Sequence, residues 1–301
     1  MASTVIHLVL VALLPPLLLG VIGKTKALFA GRVGSPLLQP YHDLIKLLRK
    51  GSVFSTTTTW VFRAGPVVGL AATALATLLL PCGSRSAPIA FTGDLILFAY
   101  LLGLARFFTA LAALDTGSSF EGMGAAREVT FACLAEPALF FGLLVTAKLS
   151  GDLSLSAMLI GPLPHGSQLG MAALVLVLVS WLIVLLAENA RIPFDDPNTH
   201  LELTMIHEVM VLDHSGPALG MILYGAALKL FVFAALLVRL VLPPTDNVFA
   251  GWGMFTAGLL VVAVLVGVVE SVMARLPLVH IPRLLVAACV LSALGLTLVV
   301  S

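Results

Sequence analysis

Several ionisable residues of this sequence lie within or beside long apolar segments, where an unpaired charge costs several kcal/mol. Glu128 and Glu136 are eight residues apart in one such segment, so on an α-helix they lie on roughly the same side, two turns apart. Carboxylates arranged in this way can pass protons through intervening water. The residue types therefore predict a hydrated polar path, whose candidate members are Arg106, Asp115, Glu128, Glu136, Glu188, Glu202, Lys229 and Glu270.

Structural ion pairs between helices are the alternative interpretation of the same residues, for example a pair of Arg106 with Glu136. Buried charges need a partner whatever their role, so pairing alone is no sign of function. We favour the polar path, because ionisable residues inside a membrane commonly mark ion pathways. The set also continues into an acidic segment of the chain.

This acidic segment, residues 187–217, lies between two apolar runs and reads AENARIPFDDPNTHLELTMIHEVMVLDHSGP. Pro193 and Pro197 enclose residues 194–196 and favour a fixed shape there. The residues that follow predict a short amphipathic helix over 199–212. Six of the fifteen acidic residues of the chain lie in this segment: Glu188, Asp195, Asp196, Glu202, Glu208 and Asp213.

The same segment contains histidines at every seventh position, His200, His207 and His214, which places them near one face of a helix. Histidine pairs that bind a metal from one helix usually have closer spacing, such as i and i+4. We therefore predict no metal site and interpret the histidines as a proton-responsive or hydrogen-bonded stripe.

No cofactor is expected in this chain. Its three cysteines are far apart and form no C-x-x-C pair, so an iron–sulfur cluster is not predicted. The sequence also contains no serine-nucleophile elbow, phosphate-binding glycine loop, zinc motif or dinucleotide fingerprint.

The elements that must position these residues are membrane helices. The chain has 301 residues, of which 60% are hydrophobic and 10% charged, and its mean hydropathy is +1.12. Continuous apolar runs predict helices rather than barrel strands, which would alternate polar and apolar residues. A net charge of +1 suggests no attraction to nucleic acid. We predict an all-α integral membrane protein with about eight transmembrane helices, at 5–22, 60–80, 95–114, 129–149, 169–187, 218–241, 248–269 and 284–300.

Lysine and arginine are concentrated in alternate connections, which the positive-inside rule assigns to the cytoplasm. Both termini are then expected outside, and the connection 24–59 and the acidic segment 187–217 are cytoplasmic. Within 24–59, LLQPYHDLIKLLRKG alternates apolar and charged residues as an amphipathic helix on the membrane surface does. We expect residues 1–301 to form a single polytopic membrane domain.

Two motifs resemble those of a known family, the membrane heel subunit of respiratory complex I and its relatives in energy-converting nickel-iron hydrogenases. AENARIPFDDP is similar to the family signature A-E-x-x-R-x-P-F-D-x-P, and GRVGSPLLQPYHDLIKLL is similar to its first cytoplasmic segment. The residues that match are Glu188, Arg191, Pro193, Phe194, Asp195 and Pro197 in the first motif, and Arg32, Gly34, Gln39, Pro40, Asp43 and Lys46 in the second.

The sequence departs from the quinone-reducing members where further glutamates and an E-Y-S-G element are typical. It has Asn198, Thr199 and His200 after the signature, and LDHSG further on. The runs HLELTMIHEVMVLDHSGP and ESVMARLPLVHIPRLL resemble instead the membrane subunit of formate hydrogenlyase and hydrogenase-4 complexes. The resemblance therefore favours the hydrogenase branch of the family.

The resemblance implies partners: hydrogenase-like large and small subunits and a ferredoxin-like iron–sulfur subunit on the cytoplasmic loops, and antiporter-like subunits within a prokaryotic cytoplasmic membrane. The nickel-iron centre and the iron–sulfur clusters would lie on those partners. It further implies that Glu128, Glu136, Glu188 and Glu202 carry protons. The residues expected to shape the docking surface and gate are Arg32, Gln39, Asp43, Lys46, Arg191, Asp195, Asp196, Glu208 and Asp213.

The predicted function is therefore that of a non-catalytic anchor and coupling subunit, which links electron transfer in the docked arm to proton or sodium movement. Three alternatives remain open. The chain could be the quinone-site subunit of complex I, or belong to a related complex whose large subunit lacks nickel. It could also be a free-standing ion transporter, although no internal repeat is evident.

Overall fold

A computed structural model describes residues 2–83, 85–160, 168–195, 205–243 and 245–300 of the chain. Within these ranges the regular structure is entirely helical. Its α-helices, in chain order, are α1 Ala2–Phe29, α2 Gln39–Leu48, α3 Trp60–Leu79, α4 Asp94–Asp115, α5 Ser119–Ser150, α6 Leu155–Ile160, α7 Gln168–Glu188, α8 Gly216–Val241, α9 Val248–Val272 and α10 Ile281–Val300, and Glu208–Val211 forms a 3-10 helix.

Eight of these helices are long and apolar enough to cross a membrane, which confirms the all-helical, eight-span prediction. A helix satisfies its backbone hydrogen bonds internally, whereas an isolated strand or loop would expose unpaired N–H and C=O groups to lipid. The central helix is α8, in which Phe231 and Ala235 are fully buried. Helix α5 begins ten residues before the predicted start at 129 and so includes Glu121 and Glu128.

The connections that follow α1, α4, α7 and α9 lie at one end of the bundle, which we call the loop side. Contacts between distant segments define this end: the Val53 backbone N–H donates to Ser215 Oγ at 3.0 Å, and Leu276 N–H donates to the Pro193 carbonyl at 3.0 Å. At the opposite end, Gly93 N–H donates to the Leu153 carbonyl at 3.3 Å. The acidic segment therefore lies on the same side as the first long connection, as predicted.

The predicted surface helix is α2, with Pro40 in its first turn, where its missing N–H costs no hydrogen bond. Helix α2 packs across α8 and α1. Its Tyr41 hydroxyl donates to the Leu13 carbonyl in the middle of α1, and the last turns of α1 extend past α2 on the loop side. Asp43 and Lys46 on the polar face of α2 are exposed, and Val53, which follows α2, contacts Ser215 at the end of the acidic segment.

The amphipathic helix predicted over 199–212 is not formed in the part that the structure describes. Residues 205–212 contain only the single turn of 3-10 helix at Glu208–Val211, and residues 196–204 lie outside the described ranges. The side chain of Asp195 accepts from the backbone N–H groups of Ile206 and His207, at 3.1 and 3.2 Å. Those N–H groups are thereby withdrawn from a helical hydrogen-bonding pattern.

Candidate functional site

The site is centred on Arg106, near the middle of α4. Its Nη2 donates to both carboxylate oxygens of Glu188, at 2.6 and 2.7 Å, and its Nη1 donates to Glu136. Its Nε lies 3.5 Å from Oε1 of Glu128. One guanidinium, with a side-chain exposure of 11%, thus joins the carboxylates of α5 and α7.

Lys229 of α8 completes this group, because its Nζ lies 2.8 Å from Oε2 of Glu188. We call Arg106, Glu128, Glu136, Glu188 and Lys229 the Arg106 cluster. Three carboxylates face two cations, so the cluster carries one negative charge in excess when all five groups are ionised. The side chains of Glu128 and Glu188 are 8% and 5% exposed, whereas that of Glu136 is 45% exposed. An excess charge on the buried part of the cluster is costly, and one added proton removes it. The pair of Arg106 with Glu136, which the alternative interpretation gave as its example, is present as part of a larger network.

The acidic segment is held against this cluster through Asp195, which is buried. Its Oδ1 accepts from Arg275 at 2.8 Å, while its Oδ2 holds the backbone of His207. The His207 Nδ1 lies 3.4 Å from Oε2 of Glu128. Arg127 supports the same stretch by donating to the Met205 carbonyl at 2.8 Å.

A second charged group lies at the loop-side ends of α1 and α9. The carboxylate of Glu270 contacts Lys26 Nζ at 2.7 Å and Arg191 Nη1 at 3.3 Å, and its side chain is fully buried. The predicted path residue Glu270 thus pairs with the predicted docking residue Arg191. Since Arg191 follows Glu188 by three residues, the signature motif contacts both groups.

Asp115 is placed away from the Arg106 cluster, at the end of α4 and nine residues, or about 13 Å, from Arg106. Its carboxylate accepts from the backbone N–H groups of Thr59 and Phe62, at 2.7 and 3.2 Å, and from the Thr59 hydroxyl at 2.8 Å. These are the orphan donors at the start of α3, which a carboxylate stabilises.

The predicted docking residues of the first connection lie on the exposed loop-side surface. Arg32, Asp43 and Lys46 are exposed, and the Gln39 side-chain amide donates to Asp43 at 2.8 Å. In the acidic segment, Asp213 is exposed and Glu208 is partly exposed. The predictions for Asp196 and Glu202 fall on residues outside the described ranges.

Two of the histidines lie in different surroundings, which is not the helical stripe that their spacing predicted. His207 lies beside Glu128, whereas the ring of His214 stacks on Phe62 with centroids 3.9 Å apart. Burial lowers the pKa of His214 to about 4, although the nearby carboxylate of Asp213 opposes this. His200 lies outside the described residues. Among the residues described, no three histidine, cysteine or acidic side chains are grouped as metal ligands.

The residues of the two charged groups and their supports that the sequence did not single out include Lys26, Glu121 and Arg275. Glu121 is buried in the first turn of α5, and its Oε1 accepts from the backbone N–H of Asp213 at 3.1 Å. Its position seven residues before Glu128 was a usable signal, because that spacing returns to the same helix face. Arg275 is one of the lysines and arginines whose distribution predicts the cytoplasmic side, and nothing in the sequence indicates its contact with Asp195.

Comparison with known proteins agrees with the two motifs. A model of the NADH dehydrogenase family matches residues 2–301. The chain belongs to this family. It is 34% identical to formate hydrogenlyase subunit 4 of Escherichia coli K12 over 284 residues, which are 89% of each chain. It is also 36% identical to hydrogenase-4 component C of the same organism over 235 residues, covering 78% of this chain and 73% of that protein.

More distant relatives include subunits of NADH-quinone oxidoreductases. One subunit of the NADH-quinone oxidoreductase of Syntrophotalea carbinolica is 30% identical over 223 residues, covering 70% of this chain and 66% of its own length. The fold is also that of a chain in the structure of a membrane-bound sulfane sulfur reductase, an archaeal respiratory membrane complex. The TM-score is 0.85 at 22% identity, over 99% of this chain and 100% of that one.

Proposed function

We propose that this chain is the membrane anchor and ion-coupling subunit of a hydrogen-evolving complex of the formate hydrogenlyase type. It docks a soluble nickel-iron and iron–sulfur arm and links electron transfer there to proton or sodium movement through the Arg106 cluster. The single observation that carries the coupling role is the excess carboxylate of that cluster. The names of the two E. coli relatives, at 34% and 36% identity, support the type of complex.

The loop side is the docking surface in this proposal and faces the cytoplasm. Most of the sixteen lysines and arginines lie in or beside its connections, as the positive-inside rule requires of cytoplasmic loops. Both termini then lie outside a prokaryotic cytoplasmic membrane. Hydrogenase-like large and small subunits and a ferredoxin-like subunit cover the loop side, and antiporter-like membrane subunits lie beside the helices.

Coupling follows from the position of Glu188 at the last residue of α7. The segment that continues from it contains Arg191, bound to Glu270, and Asp195, bound to Arg275. A change of charge or position in the docked arm displaces this segment. Because Glu188 belongs to it, the displacement changes the distances from Glu188 to Arg106 and Lys229. The carboxylate that loses a cation takes up a proton, and the restored contact releases it.

Quinone reduction is the second candidate, since the chain is 30% identical to a subunit of an NADH-quinone oxidoreductase. In that case the chain would serve an arm that delivers electrons to a membrane quinone. The coupling role of the Arg106 cluster would be unchanged, whereas the electron acceptor would differ.

The test is to purify the tagged chain with its native partners in mild detergent and to measure nickel content and hydrogen evolution on the same sample. The proposal expects both, in a fixed ratio to the tagged chain. A complex without nickel that reduces a quinone in an inhibitor-sensitive way would contradict it and support the second candidate.

A further inference from the structure

His207 is a titratable side chain that stands directly between the loop side and the Arg106 cluster. Its Nδ1 is buried and makes no hydrogen bond within the described residues, yet it lies 3.4 Å from Oε2 of Glu128. The side chain as a whole is 30% exposed. One edge of the ring is therefore directed at a buried carboxylate while the side chain still reaches the surface.

We propose that His207 carries protons between water on the loop side and Glu128, a step that rests on the proposed coupling function. The imidazole takes a proton from water on Nδ1 and turns about its Cβ–Cγ bond towards the cluster. The imidazolium then transfers that proton to Oε2 of Glu128, which leaves a neutral imidazole and a neutral carboxylic acid. The reverse sequence releases a proton from the cluster.

Charge balance favours this step. The Arg106 cluster has one carboxylate more than it has cations, and an imidazolium beside Glu128 compensates the difference. The other charged groups around His207 are Asp195, which holds its backbone, and Glu208, which follows it in the chain. Arg127 is directed at the Met205 carbonyl and Arg275 at Asp195, so within the described residues both cations make other contacts.

The backbone contact makes His207 responsive to docking. Asp195 Oδ2 accepts from His207 N–H at 3.2 Å, and Oδ1 of the same carboxylate is held by Arg275 at 2.8 Å. Any displacement of residues 191–195 by a docked subunit therefore shifts His207 relative to Glu128. A proton transfer that needs contact distances of about 3 Å is switched by a small movement of this kind.

Chemical rescue tests the carrier role directly. The whole complex is reconstituted in vesicles with an internal pH indicator, and proton movement per electron transferred is measured for H207A with and without free imidazole. We expect H207A to lose proton movement roughly tenfold or more, and imidazole to restore a substantial part of it. H280A is the matched control, because His280 is an exposed histidine on the loop side, and we expect it to behave as the wild type.

H207Q extends the test to a variant that keeps the size of the side chain but cannot be protonated near neutral pH. H207Q should show the same loss of proton movement as H207A. If H207A does not assemble, the result for H207Q tests the role of His207. Normal proton movement in either variant, a loss in H207A that imidazole leaves unchanged, or sodium uptake without proton movement would contradict the role of His207. The proposed coupling role fails separately, if the wild type moves no ion or if E188Q, E128Q and E136Q all move as much as the wild type.

Discussion

The guanidinium of Arg106 and the carboxylate of Glu188 form a two-point contact inside the helix bundle, with Nη2 at 2.6 and 2.7 Å from the two oxygens. Both side chains are largely buried, with exposures of 11% and 5%. Glu188 is also the last residue of α7 and the second residue of the signature motif. A residue of the acidic segment is thus bound directly to a charged residue of a membrane-spanning helix.

Replacing Arg106 with methionine should destabilise the protein strongly. The change leaves three carboxylates facing Lys229 alone, and breaking a buried pair by removing one partner costs about 3–5 kcal/mol. We expect a clear fall in the thermal unfolding temperature of the purified complex, measured by intrinsic fluorescence. K148M, which removes an exposed cation near the end of α5, is the control. An unfolding temperature of the R106M complex equal to that of K148M would show that the ion pairs of Arg106 contribute little to stability.

Replacing Arg191 with alanine should loosen the attachment of the soluble arm. Arg191 lies 3.3 Å from Glu270, and its loss leaves Lys26 as the described partner of a fully buried carboxylate. The acidic segment then loses its ion pair with Glu270 of α9. The measurement is the yield of arm subunits that co-purify with the tagged chain, compared with R283A, which removes an exposed arginine of the loop side. An intact complex at normal yield would refute the docking role of Arg191.

His214 should make the protein less stable in acid. Its pKa is lowered to about 4 by burial against Phe62, whereas an unfolded histidine has a pKa of about 6.5. Between these values the unfolded chain binds more protons than the folded one, so stability falls as the pH falls from about 6.5 to about 4.

The test compares unfolding temperatures across this pH window for the wild type and H214F, which keeps an aromatic ring but cannot titrate. We expect a shallower dependence on pH in H214F. H42F, at an exposed histidine of α2, should keep the slope of the wild type. Equal slopes for H214F and the wild type would show that His214 does not titrate in this range.

The spans and their number were predictable from the sequence, because an apolar run of about twenty residues has no alternative structure in lipid. The rarity of ionisable residues in those runs also identified Arg106, Glu128 and Glu136. Positions in the chain do not show which helices are neighbours in the bundle. The contact between Lys229 of α8 and Glu188 of α7 was therefore not predictable.

For two predictions, on residues 199–212 and on Asp115, hydrogen bonds that form only in the folded protein explain the difference between sequence and structure. The spacing of residues 199–212 fits a helix, but the buried carboxylate of Asp195 draws the backbone N–H groups of Ile206 and His207 to itself. Asp115 looked like a member of the path because it ends an apolar run. In the fold it stabilises the first turn of α3, and only the folded arrangement of α3 and α4 shows this.

The most direct test of the account is the number of protons moved per hydrogen molecule evolved, measured in vesicles for the wild type and for E188Q. Glutamine removes one carboxylate, so the two that remain in the Arg106 cluster are balanced by its two cations and an added proton no longer neutralises an excess charge. We predict that E188Q, and likewise E128Q and E136Q, lose most proton movement while hydrogen evolution in detergent is largely retained. The control D246N, at an exposed acid of the opposite side, should match the wild type. Unchanged proton movement in all three glutamine variants would contradict the coupling role.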